Sequence, residues 1–495
     1  MHKNKVVIKL EKLFKDLKQN NSVFEKDFFD CSDFLKREVK ISGFDALIMA
    51  MDGLVDSKTV AEAVSNPVLN FNTNCKNADV LFNQIKEMKV SASEITEVTT
   101  FDEVKYFLMS GFVAIIIDGC NKALCLGTQG WNKRNTSEPS NEAMTKGAKE
   151  SFVETLNDNK ALIRKRLKTS HLKFRQLKLG KSAKTPIVIA YIDNKAEKSI
   201  VDGVEKRLKS ADIDVVLDYG CLQPFIDTDV KTFFSCVGVT ERPDTLCSKL
   251  TEGRVAVIVD GSPFVMYVPY LFSDNFQSVD DYDNPPFYAG FLRILKYFSF
   301  FASIFLPGLY VAIGTFHIEL LPTQIVYHIA AAEAITPFSL VYESVLTFLL
   351  YEVMREAGLR LPKTIGHAIS IIGALVIGEA TVSAGLIGAP TLIVVAVTAI
   401  SSYVVYPLYE STAVLRLFSI IIGGITGIYG IILFAGIVGI NLCSVGPFGI
   451  PYSAPFSPFT KESAADSVFR ASWKKLKNHR FKIQDLRGAS VDKDV

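Results

Sequence analysis

Glu379 is the only formally charged residue between His367 and Ser401, in a run rich in Ile, Val, Ala and Gly. A lone carboxylate at the centre of a bilayer costs about 2.5–3.5 kcal/mol on insertion scales, so it must face protein, water or a partner and not lipid. On a helix of about 3.6 residues per turn, Ile372, Val376, Glu379 and Ser383 fall on one stripe, with Val382 beside it. Repeated around a symmetric assembly, that stripe gives a ring of carboxylates that attracts cations, set between apolar rings that gate by dewetting. The same stripe, with Gly373, Gly378 and Gly385 near it, also fits a close packing seam in which Glu379 is neutral or paired. Glu343 and Glu352 lie about two and a half turns apart, point in different directions and cannot both line one narrow path. Glu352 is expected at the inner end beside Arg355, as an inter-helix or subunit contact. Glu343 is deeper and is the candidate for a vestibule or an inter-helix lock.

The elements that carry these residues must cross a membrane. Leu361–Tyr409 is too long and too apolar for a core helix and holds two passes, about 368–387 and 391–406, broken near Gly388-Ala389-Pro390. Two earlier passes are expected at about 295–314 and 338–354, with 319–337 as a re-entrant or interfacial helix. The Gly-rich run 413–443 reads as a short hairpin, because the basic tail Arg470–Arg487 favours the inside and hence an even number of passes. The expectation is an all-α polytopic transmembrane domain of about five or six passes. Arg355, Arg360 and Lys363 place the loop after the second pass inside.

The remainder of the 495 residues is of a different kind. A mean hydropathy of +0.24 hides a split between a charged region before about 290 and the apolar runs of 292–443. The N-terminus is basic and amphipathic without the apolar core of a secretory signal, so the first region is expected on the cytoplasmic side. Eight scattered cysteines signal neither zinc nor a disulfide framework. GFVAIIIDG (111–119) and GRVAVIVDG (253–261) form a weak internal repeat. Each is a β-branched strand closed by Asp-Gly, preceded by a probable helix and followed by a second strand, KALCLGT or PFVMYVP. They predict a soluble α/β N-terminal region of two related subdomains. The second would add a strand at 186–192, a helix at about 197–210 and a strand at 214–218. The expected divisions are 1–150 and 151–290 for the subdomains, 291–445 for the membrane domain, and 446–495 for a Pro/aromatic segment and basic tail. Between the subdomains, Lys160–Lys184 holds ten lysines and arginines and no acid. It is open to two readings, a site for anionic headgroups of membrane lipid, or a solvated face meeting the acidic stretch Asp274–Asp283 or a partner. No nucleic-acid-reading motif accompanies the charge.

The motifs of hydrolytic and phosphate chemistry, HExxH, GxSxG and a Walker A lysine, do not occur, so no enzyme and no cofactor are expected. TERPD (240–244) and DGSPF (260–264) read first as turns and caps. Taken with MDGLVD (51–56), EPSNEAMTKGAKESFVETLNDNKALIRKRL (138–167), EVMREAGLRLP (352–362), IGALVIGEATVSAGLI (372–387), VVAVTAISSY (394–403) and GIPYSAP (449–455), they resemble the A subunit of spore germinant receptors, the GerA family. The resemblance covers nearly the whole chain. It implies a nutrient-sensing complex in the inner membrane of a bacterial endospore, with a transporter-like, germinant-binding B subunit and a C-subunit lipoprotein. It also implies a homo-oligomeric ring, a pentamer, forming a nutrient-gated cation channel, with the N-terminal region facing the spore core. The alternatives are a secondary transporter using Glu343 and Glu379 as ion sites, for which no inverted repeat is visible, and a non-conducting scaffold or sensor.

Overall fold

The computed structural model describes residues 11–69, 71, 77–87, 94–130, 139, 142, 144, 146–227, 230–362, 373, 378–459, 466–470 and 482–490. The Asp-Gly repeat is the visible part of a longer duplication. In the first unit the order is helix α1 (Leu17–Asp27), strands β1 (Phe34–Ile41) and β2 (Phe44–Met51), helix α2 (Ala78–Glu87), strand β3 (Ile95–Val98), helix α3 (Phe101–Leu108) and strands β4 (Phe112–Ile117) and β5 (Ala123–Gly127). The second unit runs through the same order: α4 (Leu156–Arg166), β6 (Leu172–Leu179), β7 (Thr185–Ile192), α5 (Lys198–Ser210), β8 (Gly238–Thr240), α6 (Pro243–Thr251), β9 (Val255–Val259) and β10 (Val265–Val268). Each forms a five-stranded antiparallel sheet, ordered β1-β2-β4-β5-β3 and β6-β7-β9-β10-β8. The strand and helix expected as additions to the second unit therefore have counterparts, β2 and α2, in the first. No strand forms at 214–218. That segment lies against the β6–β7 turn, where Lys181 N and Ser182 N donate to Ile213 O and Asp214 O.

The repeat extends to single hydrogen bonds. Gly119 and Gly261 take φ of +86° and +90°, a region that favours glycine. The Asp before each accepts from the first residue of a helix: Asp118 Oδ1 from Leu17 N at 3.0 Å, Asp260 Oδ1 from Leu156 N at 3.1 Å. Asn20 and Asn159, both fully buried, each close a loop reciprocally with the residue six before, Phe14 or Val153.

Alternation along a strand sends successive side chains to opposite faces, and here both faces are covered. In the first unit Leu47, Met49 and Ile116 pack on α1 and α3, while Ala46, Ile48 and Ile115 pack on α2 and the 57–69 segment. In the second, Val188, Ala190 and Ile258 pack on α4 and α6, and Ile187, Ile189 and Val257 on α5. That last layer also contains Ile450, Ala454, Ile483 and Leu486, from the chain after Ser444.

The chain then enters α7 (Pro286–Phe316), which starts nine residues earlier than expected because Pro286 at its first turn presets the helical φ. After α8 (Thr323–Glu333) come α9 (Leu340–Arg360), α10 (Ala389–Val404) and α11 (Tyr409–Ser444). Among the described residues two helices are long and apolar enough to cross a bilayer, Pro286–Phe316 and Tyr406–Ser444. Helix α9 is long enough but carries Glu343, Glu352, Arg355, Glu356 and Arg360, and α10 is short at 16 residues. Within α11, Gly427 leaves helical geometry at φ 66° and ψ −155°. Phe233 reaches both ends of this element: Ser411 Oγ donates to Phe233 O, and Phe233 N donates to Asn441 Oδ1 at 3.4 Å. In a straight helix Ser411 and Asn441 would stand about 45 Å apart. Helix α11 is thus a hairpin with two arms, as the glycine-rich run predicts. Its first arm meets α7 at backbone distance, since a Cβ on Gly423 would lie 2.4 Å from Gly308 O.

Candidate functional site

The second α/β unit and the helices meet around a cavity of about 1070 Å³. Its upper wall comes from β8, α6 and the 274–282 segment, and its lower wall from the ends of α9 and the 406–414 turn. The upper wall is held by charge. Asp274 accepts from Arg254 Nη2 at 3.0 Å and Lys249 Nζ at 2.9 Å. Burial alone would raise its carboxyl, yet the Arg254 and Lys249 charges hold it below the ordinary carboxylate range. Glu142, also on this wall, accepts from Thr240 Oγ1 at 2.7 Å. Burial pushes its carboxyl up to about 7, against the Thr240 hydrogen bond and helped by the neighbouring Glu241 charge. TERPD belongs to the same wall and is structural: Arg242 pairs with Asp244 at 2.7 Å and donates to Ala148 O.

On the lower wall a carboxylate is shared. Glu352 accepts from Arg355 Nε at 3.0 Å and from Tyr409 OH at 2.8 and 3.0 Å, and Arg355 lies 4.3 Å over the Tyr409 ring. Behind it stands Arg416, only 2% exposed on the first arm of α11. Its Nε donates to Ser303 O of α7 at 2.9 Å, its Nη2 donates to Ser402 Oγ of α10, and its plane faces the Phe348 ring of α9. Nη1 lies 3.6 Å from Glu352 Oε1 and has no hydrogen-bond partner among the described residues. One guanidinium thus touches three other helices.

Sequence reasoning placed Glu352 beside Arg355, and the structure brings them together. That reasoning does not single out Arg416. The usable signal was an arginine inside the start of an apolar run, which needs a buried counter-ion. Glu343 is 1% exposed and accepts from Gly388 N at 2.9 Å, so it ties α9 to the N-terminus of α10, where a carboxylate is favoured. Glu379 and Ser383 are exposed and Val382 is half-buried. None of the three touches Glu343 or Glu352 through a described hydrogen bond or ion pair. Ile372 and Val376 lie outside the described residues.

Much of the basic block is paired inside the soluble region, while Lys178, Lys181 and Lys184 are exposed. Arg164, 1% exposed, grips Asp33 of the first unit with two hydrogen bonds at 2.9 and 3.0 Å. Arg175 bonds Asp30 and Glu205 at 2.6 Å each, Lys173 donates to Asp27 O, and Lys165 and Arg166 pair with Glu150. Its acidic partners are therefore in the first unit and nearby in the second, not in Asp274–Asp283. Among the described residues, no group of His, Cys, Asp or Glu could hold a metal ion.

This architecture defines a two-part protein, a duplicated antiparallel α/β region continuous with helices apolar enough to cross a bilayer. The family of the Bacillus/Clostridium GerA spore germination protein matches residues 22–482, and the chain belongs to that family, as an A subunit. It is 36% identical over 462 residues to spore germination protein KA of Bacillus subtilis (strain 168), covering 92% of this chain and 85% of that protein. To spore germination protein A1 of the same organism it is 35% identical over 421 residues, covering 84% and 86%. The crystal structure of the N-terminal domain of the A subunit of the Bacillus megaterium spore germinant receptor GerK3 aligns with a TM-score of 0.41 at 26% identity, over 53% of this chain and 98% of that one.

Proposed function

We propose that this chain is the membrane subunit of a nutrient-sensing germinant receptor, and that copies of it assemble around an axis into a nutrient-gated cation channel. The supporting observation is Glu379. It is exposed, with no ion pair to a described residue, between Gly373, whose Cβ position abuts Met354 near the α/β region, and Gly385, whose Cβ position abuts Ile335 at the opposite end. An exposed carboxylate midway along an apolar pass must face water or a neighbouring copy. A ring of copies placing Glu379 and Ser383 on its axis supplies both. The reading takes six crossings: α7, α9, the pass expected at about 368–387, α10 and the two arms of α11. An even number agrees with Ile483 and Leu486 sitting in the α/β core on the side where the chain entered. Arg355 and Arg360 at that end support reading it as the cytoplasmic, spore-core side of the inner membrane. By family, the partners are a transporter-like B subunit that holds the nutrient and a C-subunit lipoprotein, with lipid around the outer helix faces.

The test is nutrient-triggered cation flux from vesicles holding this chain with both partner subunits. Glu379→Gln is expected to lower cation over anion preference, and Val376→Ala to leak without nutrient. Flux unchanged by either substitution moves the path to another helix. A complex that binds nutrient and never conducts removes the channel and leaves a scaffold or sensor.

A further inference from the structure

Arg416 Nη1 is a buried charged donor left without a hydrogen bond, while the carboxylate nearest to it is held by groups on the cavity wall. A buried polar group in that state costs free energy that a small movement would recover. Closing 3.6 Å to the roughly 2.9 Å of an N–H···O bond needs less than an ångström of side-chain motion. We propose that Glu352 is a two-position latch, exchanged between Arg355 with Tyr409 on the cavity side and Arg416 in the helix interior. It links the cavity under the second α/β unit to the packing of four helices.

In the position described, the carboxylate ties the end of α9 to Tyr409 at the foot of α11, and Arg416 is hydrogen-bonded to Ser303 and Ser402 with Glu352 at ion-pair distance only. In the other, Glu352 completes the Arg416 shell and ties α9 directly to the centre of α7, α10 and α11. Arg355 and Tyr409 are then released at the cavity rim, where the 406–414 turn faces the second α/β unit. Anything that presses on that rim, including movement of the α/β unit, biases the exchange. The geometry of the latch stands apart from conduction; its use as a gate control rests on the channel proposed above.

Leu359, 64% exposed on the cavity wall at the end of α9, reports the position without any flux. The experiment measures the rate of maleimide labelling at Leu359→Cys in the full chain in vesicles, with the labelled thiol located by mass spectrometry. Tyr409→Phe removes one cavity-side donor and is expected to speed labelling about fivefold, the effect of one hydrogen bond. Arg416→Gln removes the interior alternative and is expected to slow labelling below wild type. A buried arginine that only supports packing would do the reverse, loosening the helices and speeding labelling. If both variants speed labelling, or if neither changes it, the latch is wrong. Should Arg416→Gln fail to accumulate, Arg416→Lys, too short to reach Glu352, is expected to slow labelling as well; faster labelling there overturns the proposal. Nutrient-triggered flux in vesicles that also hold both partner subunits separates the two ideas: labelling shifts of opposite sign with no flux in wild type keep the latch and remove the channel.

Discussion

The two α/β units share eight elements in one order, one sheet topology and matched buried asparagines, yet they close the same face of the sheet differently. In the first unit that face is covered by α2 and residues 57–69, all local in sequence. In the second it is covered by α5 and the 216–226 segment together with Ile450, Ala454, Ile483 and Leu486, which the chain supplies only after the second arm of α11. Hydrogen bonds fix the late segment in place: Ile483 N donates to Glu252 O at 2.9 Å, Phe272 N to Tyr452 O at 2.9 Å and Gln484 Nε2 to Lys195 O at 2.9 Å. Further along, Asp466 accepts from Tyr282 OH at 2.8 Å and Arg293 Nη1 at 3.0 Å, which clamps the tail to the foot of α7. That face of the first unit is closed by its own residues. The second unit is joined to the helical region at both ends, so it is the unit able to pass a movement to the helices.

The largest expected effect tests that asymmetry. Leu81 on α2 and Leu486 in the tail are both buried on the corresponding face. Truncating either to Ala should cost about 2–5 kcal/mol. Hydrogen exchange on the full chain in detergent should then show Leu81→Ala opening the first unit alone. Leu486→Ala should open β7, β9 and α5 and also loosen the 447–458 segment. If Leu486→Ala leaves exchange in β7 and β9 at the wild-type level, the tail is an ornament on a unit already complete.

A smaller effect tests the likeness. Asn20→Ala and Asn159→Ala each remove a fully buried amide that closes its loop with two hydrogen bonds. Each should lose about 1–3 kcal/mol, read as matched local increases in exchange over 13–20 and 152–159. A cost confined to one of them would mean that the duplicated bond has been kept in only one unit for stability.

Much of this contrast was legible in the sequence, and the parts that were not have physical causes. The Asp-Gly turns stand out because each closes a run of buried β-branched residues, so β4, β5, β9 and β10 were readable. Strand β1 was not, because its residues LKREVK lie at a sheet edge and are mostly exposed, which removes the apolar alternation. DVVLD at 214–218 has the alternation without a partner strand. In the membrane region the Arg355–Glu352 pair follows from helical spacing. Arg416 does not, because its carboxylate is on another helix and an arginine near the start of a pass reads equally well as a cytoplasmic anchor. The destination of the late tail was hidden for the same reason: Ile483 and Leu486 are isolated apolar residues in a basic stretch, and only the open face of the second sheet gives them a place.

The smallest expected effect separates the units by pH. Thr100 caps the helix that follows the third strand of the first unit, and Thr240 ends the third strand of the second. In the first unit Thr100 forms a reciprocal cap with Glu103, and that hydrogen bond lowers the Glu103 carboxyl. In the second, Arg242 precedes the helix without a side-chain cap, and the Thr240 hydroxyl goes instead to Glu142, which burial raises to about 7. The signs oppose. A lowered carboxyl contributes stability that is present above its unfolded value and lost as pH falls through the folded one. A raised carboxyl favours the folded state below about 4.5 and loses that contribution as pH climbs from there to about 7. Local protection in α6 and β8, taken relative to the intrinsic exchange rate at each pH, should therefore fall between about pH 5 and pH 7, and Glu142→Gln should flatten that fall while leaving α3 unchanged. Glu103→Gln should instead remove a loss of protection in α3 at the acid end. A pH response in α6 that survives Glu142→Gln would assign it to another group on the cavity wall and make the cavity, not the carboxyl, the feature that distinguishes the second unit.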